Sequence, residues 1–355
     1  MNIAPLNRQF QQKIQEKINN KTKPVGALGQ LESLALQLAL IQSQHSDDVV
    51  DKINLAKPLM LIFAGDHGIN EHGLSIAPSA VTGQMVMNFL HGGAAINCFC
   101  QVSNIEINVI DCGILQSVKG DYNNLIQQRL GCGTNDFSEQ AAMSLAQVEQ
   151  GLLFGQQIVE KAIAQGRKVL LLGEMGIANT SAASAIFSAL SPYSVNQCVG
   201  IGTGINSEQL SLKIKLINTA LLRLTKNEKN NQDDVAAVKQ VLSEVGGFEI
   251  VQMVGTILAA ANTQLPIIID GFIVSVAALA AMKINHNVGD FLIFSHVSQE
   301  QGHQLLLNEM DAKVLLSLDL RLGEGTGGAL AFPLLQAAAS FYNDMASFES
   351  AGVTV

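Results

Sequence analysis

The chain has 355 residues, of which 48% are hydrophobic and only 14% charged, with a net charge of −9. That is ample material for a large core, and the shortage of charge predicts a sheet buried on both faces together with apolar surface covered in a subunit contact. An acidic chain without a basic stripe argues against nucleic acid as a partner. Five cysteines without a CxxC pair read as reduced thiols of a cytoplasmic protein.

In chain order, the first 20 residues are polar and helix-like, without the apolar run of a signal peptide. Residues 1 to about 50 read as amphipathic helices broken at Lys23-Pro24-Val25-Gly26. From residue 58 short apolar runs alternate with longer helical patterns. The strand candidates are Pro58–Gly65, Ile105–Gly113, Lys168–Gly173, Val195–Gly202, Pro266–Gly271, Asp290–His296 and Val314–Gly323. Most are apolar throughout, as expected of strands covered on both faces. The alternation predicts an α/β fold with an open, mostly parallel sheet and helices on both faces. The polar stretch Thr225 to Asp234 reads as an exposed connection between helices. Val254 to Met282 is the most apolar region, but Asn262, Pro266 and Asp270 interrupt it, so it is core and not a membrane span. A last helix starts near Ala329. The expected division is a small helical domain from residues 1–50 and 330–355, and a large Rossmann-like α/β domain over 51–329.

Ligands of open α/β sheets bind beyond the carboxyl ends of the strands. Here those ends carry Asp66-His67, Gly173-Glu174, Gly200-Ile201-Gly202, Asp270-Gly271, Ser295-His296 and Gly323-Glu324. In GEMGIANTSAASAI (Gly173 to Ile186) a strand turns into an Ala-rich helix, with Asn179, Thr180 or Ser181 as natural N-caps. Its free N–H groups suit an anion, whereas Glu174 suits hydroxyls or a cationic ring. VGIGTGI (Val199 to Ile205) offers a second nest of N–H groups, and Lys213 follows as a candidate counter-charge. RLGEGTGGALAFPLL (Arg321 to Leu335) spells GxGxxG, but no strand or acid follows at the spacing a dinucleotide site needs. What remains is Glu324, a carboxylate held between glycines at the mouth of a sheet. Asp66, His67 and His72, or His296, Glu300 and His303 at helical spacing, match no closed ligand set, so no metal is predicted.

These segments, in this order, resemble the nicotinate-nucleotide–dimethylbenzimidazole phosphoribosyltransferase family of cobalamin lower-ligand synthesis. The likeness runs from KPVGALGQLE (Lys23–Glu32) through GDHG, GEMGIANTS, EVGGFEIVQMVG (Glu244–Gly255) and DGFIVSVAALAA to RLGEGTGGALAFPLL. The resemblance implies a cytoplasmic homodimer that needs no metal or cofactor. It implies nicotinate mononucleotide as donor, a benzimidazole as acceptor, and Glu324 as general base. The substrate-facing set is then Glu174, Gly176, Asn179, Thr180, Gly202, Gly204, Lys213, Asp270, Ser295, Leu322 and Gly323. Donor phosphate is expected on the N–H groups around Gly176, Gly202 and Gly204 with Lys213, and ribose hydroxyls on Asp270. By alignment Ala77 and Met85 replace polar groups that some members carry near the acceptor, which leaves other benzimidazoles, a purine or a phenol as alternative acceptors. A non-catalytic nucleotide-binding protein is the rival from another class, and a nicotinamide-dependent dehydrogenase a distant third.

Overall fold

The computed structural model describes residues 3–44, 46–202, 204–227 and 234–354, so most of the polar stretch from Thr225 to Asp234 lies outside the described residues. Six strands form one parallel sheet: β1 (Leu59–Gly65), β2 (Glu106–Gly113), β3 (Leu125–Gln127), β4 (Leu170–Met175), β5 (Ile267–Ile269) and β6 (Leu292–Phe294). Their order is β3-β2-β1-β4-β5-β6. The chain winds outward in one direction from β1 and in the other from β4, so the switch point lies between these two strands, where a ligand crevice opens. Their register sets Ile62 beside Gly173 and Phe63 beside Glu174.

Every residue of β1 is buried, which requires cover on both faces. One layer packs the helices Leu145–Ala164, Phe248–Asn262 and Phe272–Ile284 against one another; the other packs Gln30–Gln42 and Ala95–Val102 around the helix Thr326–Asp344. The free edge of β6 is capped by Gln37, whose Nε2 donates to the carbonyls of Asp290 and Leu292 at 3.0 Å each. That amide blocks the strand pairing an open edge invites.

Three strand expectations need correction. Val195–Gly202 is not a strand: Val195–Cys198 forms one helical turn, with the Ser194 N–H donating to Gln197 Oε1 at 3.0 Å, and a glycine turn follows. Val314–Gly323 contributes only β8 (Leu316–Ser317), which pairs with β7 (His296–Val297) outside the main sheet. Asp290–His296 is accordingly split between β6 and β7. The edge strand β3 was not anticipated, because its three residues are too short to show a period.

The chain ends meet. Lys21 and Ser347 form an antiparallel bridge, and the Tyr342 hydroxyl donates to the Val50 carbonyl at 3.0 Å. Lys23 and Glu32 form a buried ion pair at 2.8 Å. The last helix starts at Thr326, three residues before the expected Ala329, and also contacts β4, so it ties the terminal helices to the sheet.

Candidate active site

At the carboxyl edge of β4 and β5 a cavity is lined by Glu174, Gly176, Asn179, Thr180, Asp270, His296, Ser298, Glu300, Arg321, Leu322 and Gly323. Most of the predicted set meets here, drawn from segments nearly 150 residues apart. Glu324 is next to this cavity on a turn of three left-handed residues, with φ of +83° at Gly323, +63° at Glu324 and +91° at Gly325. Glycines tolerate that region, whereas the glutamate is strained there.

The turn is held from three sides. Gly173 of β4 packs so closely that a methyl there would overlap the Glu324 carbonyl oxygen. Asp270, following β5, accepts from the N–H of Gly325 at 3.2 Å and of Gly328 at 3.0 Å, so its two oxygens cap the last helix. Glu324 Oε2 accepts from the Ile96 N–H at 3.3 Å, in the first turn of the helix Ala95–Val102. The Glu324 carboxylate thus reaches the first turn of that helix, and the residue is only 6% exposed. Burial raises its pKa above the ordinary carboxylate value, the Ile96 N–H opposes this, and the charge of Asp270 adds to it.

Glu174 is fully enclosed. Burial first, and then the negative charges of Asp270 and Glu249, push its pKa up to about 8, although Asn179 Nδ2 donates to its Oε2. A carboxyl that is neutral at pH 7 donates a hydrogen bond instead of repelling an anion, which removes the conflict between this acid and an anion expected at the same turn. The expected N-caps are corrected: Ala178, at φ +70°, occupies the cap position, and Asn179 is the first helical residue. Their side chains are free for other work. Asn179 holds Glu174, and Thr180 Oγ1 accepts from Lys213 Nζ at 2.9 Å. Lys213 is 1% exposed, and burial lowers its pKa to about 8, with Glu300 opposing. A buried ammonium beside a glycine turn suits a phosphate. Gly202 lies against Thr180, where a methyl on it would sit 3.4 Å from Oγ1, and both Gly202 and Gly204 have positive φ.

Other predicted residues lie deeper. Ser295 is fully buried, and its hydroxyl donates to the Asp270 carbonyl at 3.3 Å, bracing the strand end. His67 pairs with Glu249 at 2.8 Å, both side chains enclosed, and Glu249 raises the His67 pKa against the effect of burial. His72 turns instead to Asp136 at 2.6 Å, so Asp66, His67 and His72 do not converge. Donor atoms of His72, Asp136 and Glu139 do lie within 4.8 Å of one another, outside the lined cavity. His296, Glu300 and His303 share no helix: His296 belongs to β7, Glu300 to the irregular segment after it, and His303 starts the helix His303–Glu309. Arg321, Ser298 and Ile96 were missed. Arg321 opens the RLGEG segment and was legible as the cation nearest its acid; Ser298 follows the β7 strand end by one residue. Ile96 contributes only a backbone N–H, which no side-chain pattern announces.

A phosphoribosyltransferase family model matches residues 3–353. A nicotinate-nucleotide–dimethylbenzimidazole phosphoribosyltransferase of Vibrio vulnificus is 58% identical over 99% of this chain and 100% of its own length. The chain belongs to this family. A Shewanella frigidimarina member is 54% identical over 96% of this chain and 95% of that one. The crystal structure titled CobT from Thermus thermophilus superposes with a TM-score of 0.90 at 38% identity, covering 98% of this chain and 99% of that chain. Within the family, then, the cavity at the carboxyl ends of β4 and β5 and the left-handed Glu324 turn are the chemical features to account for.

Proposed function

We propose that this enzyme moves 5-phosphoribosyl from nicotinate mononucleotide to 5,6-dimethylbenzimidazole, giving α-ribazole 5′-phosphate and nicotinate. The observation that carries the reading is a buried carboxylate, Glu324, on a braced turn beside a cavity whose lining residue Thr180 is held by the buried Lys213. The relatives' names supply the substrates.

The donor carries a cationic pyridinium on C1′, and its departure with the bonding electrons neutralises that ring. No proton is needed by the leaving group. One benzimidazole nitrogen attacks C1′ from the opposite face, inverting a β-linked donor to an α-linked product. The other nitrogen must then lose its proton, and Glu324 accepts it. General-base help of this kind contributes about 10²–10⁴-fold. A raised pKa makes Glu324 a better base, and an acceptor covering it strengthens that effect. Donor phosphate is assigned to the Gly202 and Gly204 turn with Lys213 and Arg321, on the support of the buried ammonium and the cavity lining. Neutral Glu174 and Asn179 are assigned to the ribose hydroxyls. Asp270 is assigned to positioning, because backbone N–H groups engage both its oxygens.

Purified protein with both substrates should release nicotinate and form the α-ribotide; absence of both products would refute the reaction. A changed acceptor range is the second reading. Ser79, near Ala77, is engaged by Asn70 Nδ2 at 2.9 Å, so it does not simply replace the missing polar group. Competition between 5,6-dimethylbenzimidazole, adenine and phenol would rank the acceptors. We also infer a cytoplasmic homodimer with a small terminal helical domain. Half-exposed Leu115, Leu145 and Leu153 support a covered surface, and light scattering at twice the 37.7 kDa chain mass is the expected result.

A further inference from the structure

We propose that Glu300 is the resident anion of the donor-phosphate site: its carboxylate balances Lys213 and Arg321 while the site is empty, and a proton from solvent neutralises it when phosphate arrives. The inference rests on the phosphate placement above and extends it to a group that the reaction itself does not use.

The geometry is a meeting of turns. Glu300 lines the cavity beside Thr180, Ser298 and Arg321. Its carboxylate lies against the glycine turn, where a methyl on Gly200 would sit 2.7 Å from Oε2. Gly302 is pressed onto the same turn, with a methyl there falling 2.7 Å from the Cys198 carbonyl oxygen. The acid is therefore seated on the segment whose N–H groups are assigned to phosphate. A phosphate on Gly202 and Gly204 brings a second negative charge beside the half-buried Glu300, and each of two like charges at close range disfavours ionisation of the other.

The seat itself is insensitive to pH. His303 Nδ1 accepts from the Ser298 N–H at 2.8 Å, so its Nε2 carries the proton and donates to Ser275 Oγ at 3.1 Å. Burial, with His296 nearby, drives the His303 pKa down to about 3, so the imidazole stays neutral across the working range. Around Glu300 the charged neighbours are Lys213 and Arg321, while burial raises its pKa. Glu174, Asp270 and His296 line the same cavity.

The proton balance follows. With the site empty, the two cations favour the carboxylate; with phosphate bound, the protonated form is favoured. Above the pKa of the empty site, each donor bound takes up as much as one proton, and donor affinity weakens as pH rises. The donor's second phosphate ionisation near pH 6 is common to wild type and Glu300 variants, whereas loss of Glu300 also lowers the pKa of Lys213, which titrates near 8, and that side effect weakens binding and adds proton uptake, opposite to both expected changes. A comparison between those proteins therefore still reports on Glu300.

The test is calorimetric binding of nicotinate mononucleotide from pH 6 to 8.5, in buffers of differing ionisation enthalpy, to wild type, Glu300→Gln, Glu300→Ala and Lys213→Ala. Both Glu300 variants should bind about three- to tenfold more tightly at pH 8 and take up fewer protons than wild type. Weaker binding in both would show that Glu300 supports donor binding instead of competing with it, and would overturn the proposal. No net proton uptake by wild type at pH 8 would also overturn it, even if neither variant folded. If Lys213→Ala leaves donor affinity unchanged, the phosphate placement itself fails. If Lys213→Ala weakens binding while the Glu300 variants do not tighten it, only the role of Glu300 is lost.

Discussion

Glu324 occupies a backbone region that costs a side chain-bearing residue roughly 1–2 kcal/mol, and it persists because Gly173, Asp270 and the Ile96 N–H hold the turn. Such strain is maintained where a side chain must be aimed. Glu324→Gln should lower kcat by about 10²–10⁴-fold with no loss of melting temperature. In the wild type kcat should fall as pH drops through a carboxylate pKa above the ordinary value of 4.5, and that limb should vanish in the variant. A Gln enzyme with near-normal turnover would remove the base assignment. For Glu174 the linkage is with stability. Its folded pKa of about 8 exceeds the ordinary 4.5, so the fold holds a proton that the unfolded chain releases, and stability is lost as pH rises between those values. The gain in melting temperature of Glu174→Gln over wild type should widen from pH 5 to pH 8 and then level off; a gain equal at every pH would contradict the shift. Glu174 was legible as an acid at a strand end and Glu324 as an acid between glycines. Their protonation was not, because it depends first on burial and then on Asp270, joined at Glu174 by Glu249, all distant in sequence and close only in the fold.

At the scale of elements, the active-site turn and β4 are one packed unit. Gly173→Ala would drive a methyl into the Glu324 carbonyl and the Gly325 N–H. The expected result is a loss of about 1–3 kcal/mol in urea unfolding with a disproportionate loss of kcat; a fully active, stable variant would mean that the turn moves freely. The long buried strands were readable from unbroken apolar runs, since β1 and β4 are covered on both faces. Val195–Gly202 misled because its valines and closing glycine imitate a strand. The better signal was Ser194 with Gln197 three residues later, a capping box that starts a helix. Val314–Gly323 misled for another reason: only its two β8 residues find a partner, and that partner is β7. Pairing is a property of two segments, so one segment's composition does not decide it.

For the whole molecule, the buried Lys23–Glu32 pair stands among the terminal helices that the last helix joins to the sheet. Lys23→Met should cost about 3–5 kcal/mol, because it strands a buried carboxylate. Pairing it with Glu32→Leu should recover much of the loss, as urea melts of the single and double variants would show; a single variant as stable as wild type would mean that water reaches Glu32. The sequence by itself determined the α/β class, the parallel sheet and the acids and glycines at its edge, because hydrophobic period and turn chemistry are local. The tertiary structure decided which of those edge residues meet. It set Asp270 on the Glu324 turn, Lys213 on Thr180 and Glu300 on the glycine turn. Contacts between segments 30 to 60 residues apart or more, and the burial that shifts their protons, exist only once the sheet order has been chosen.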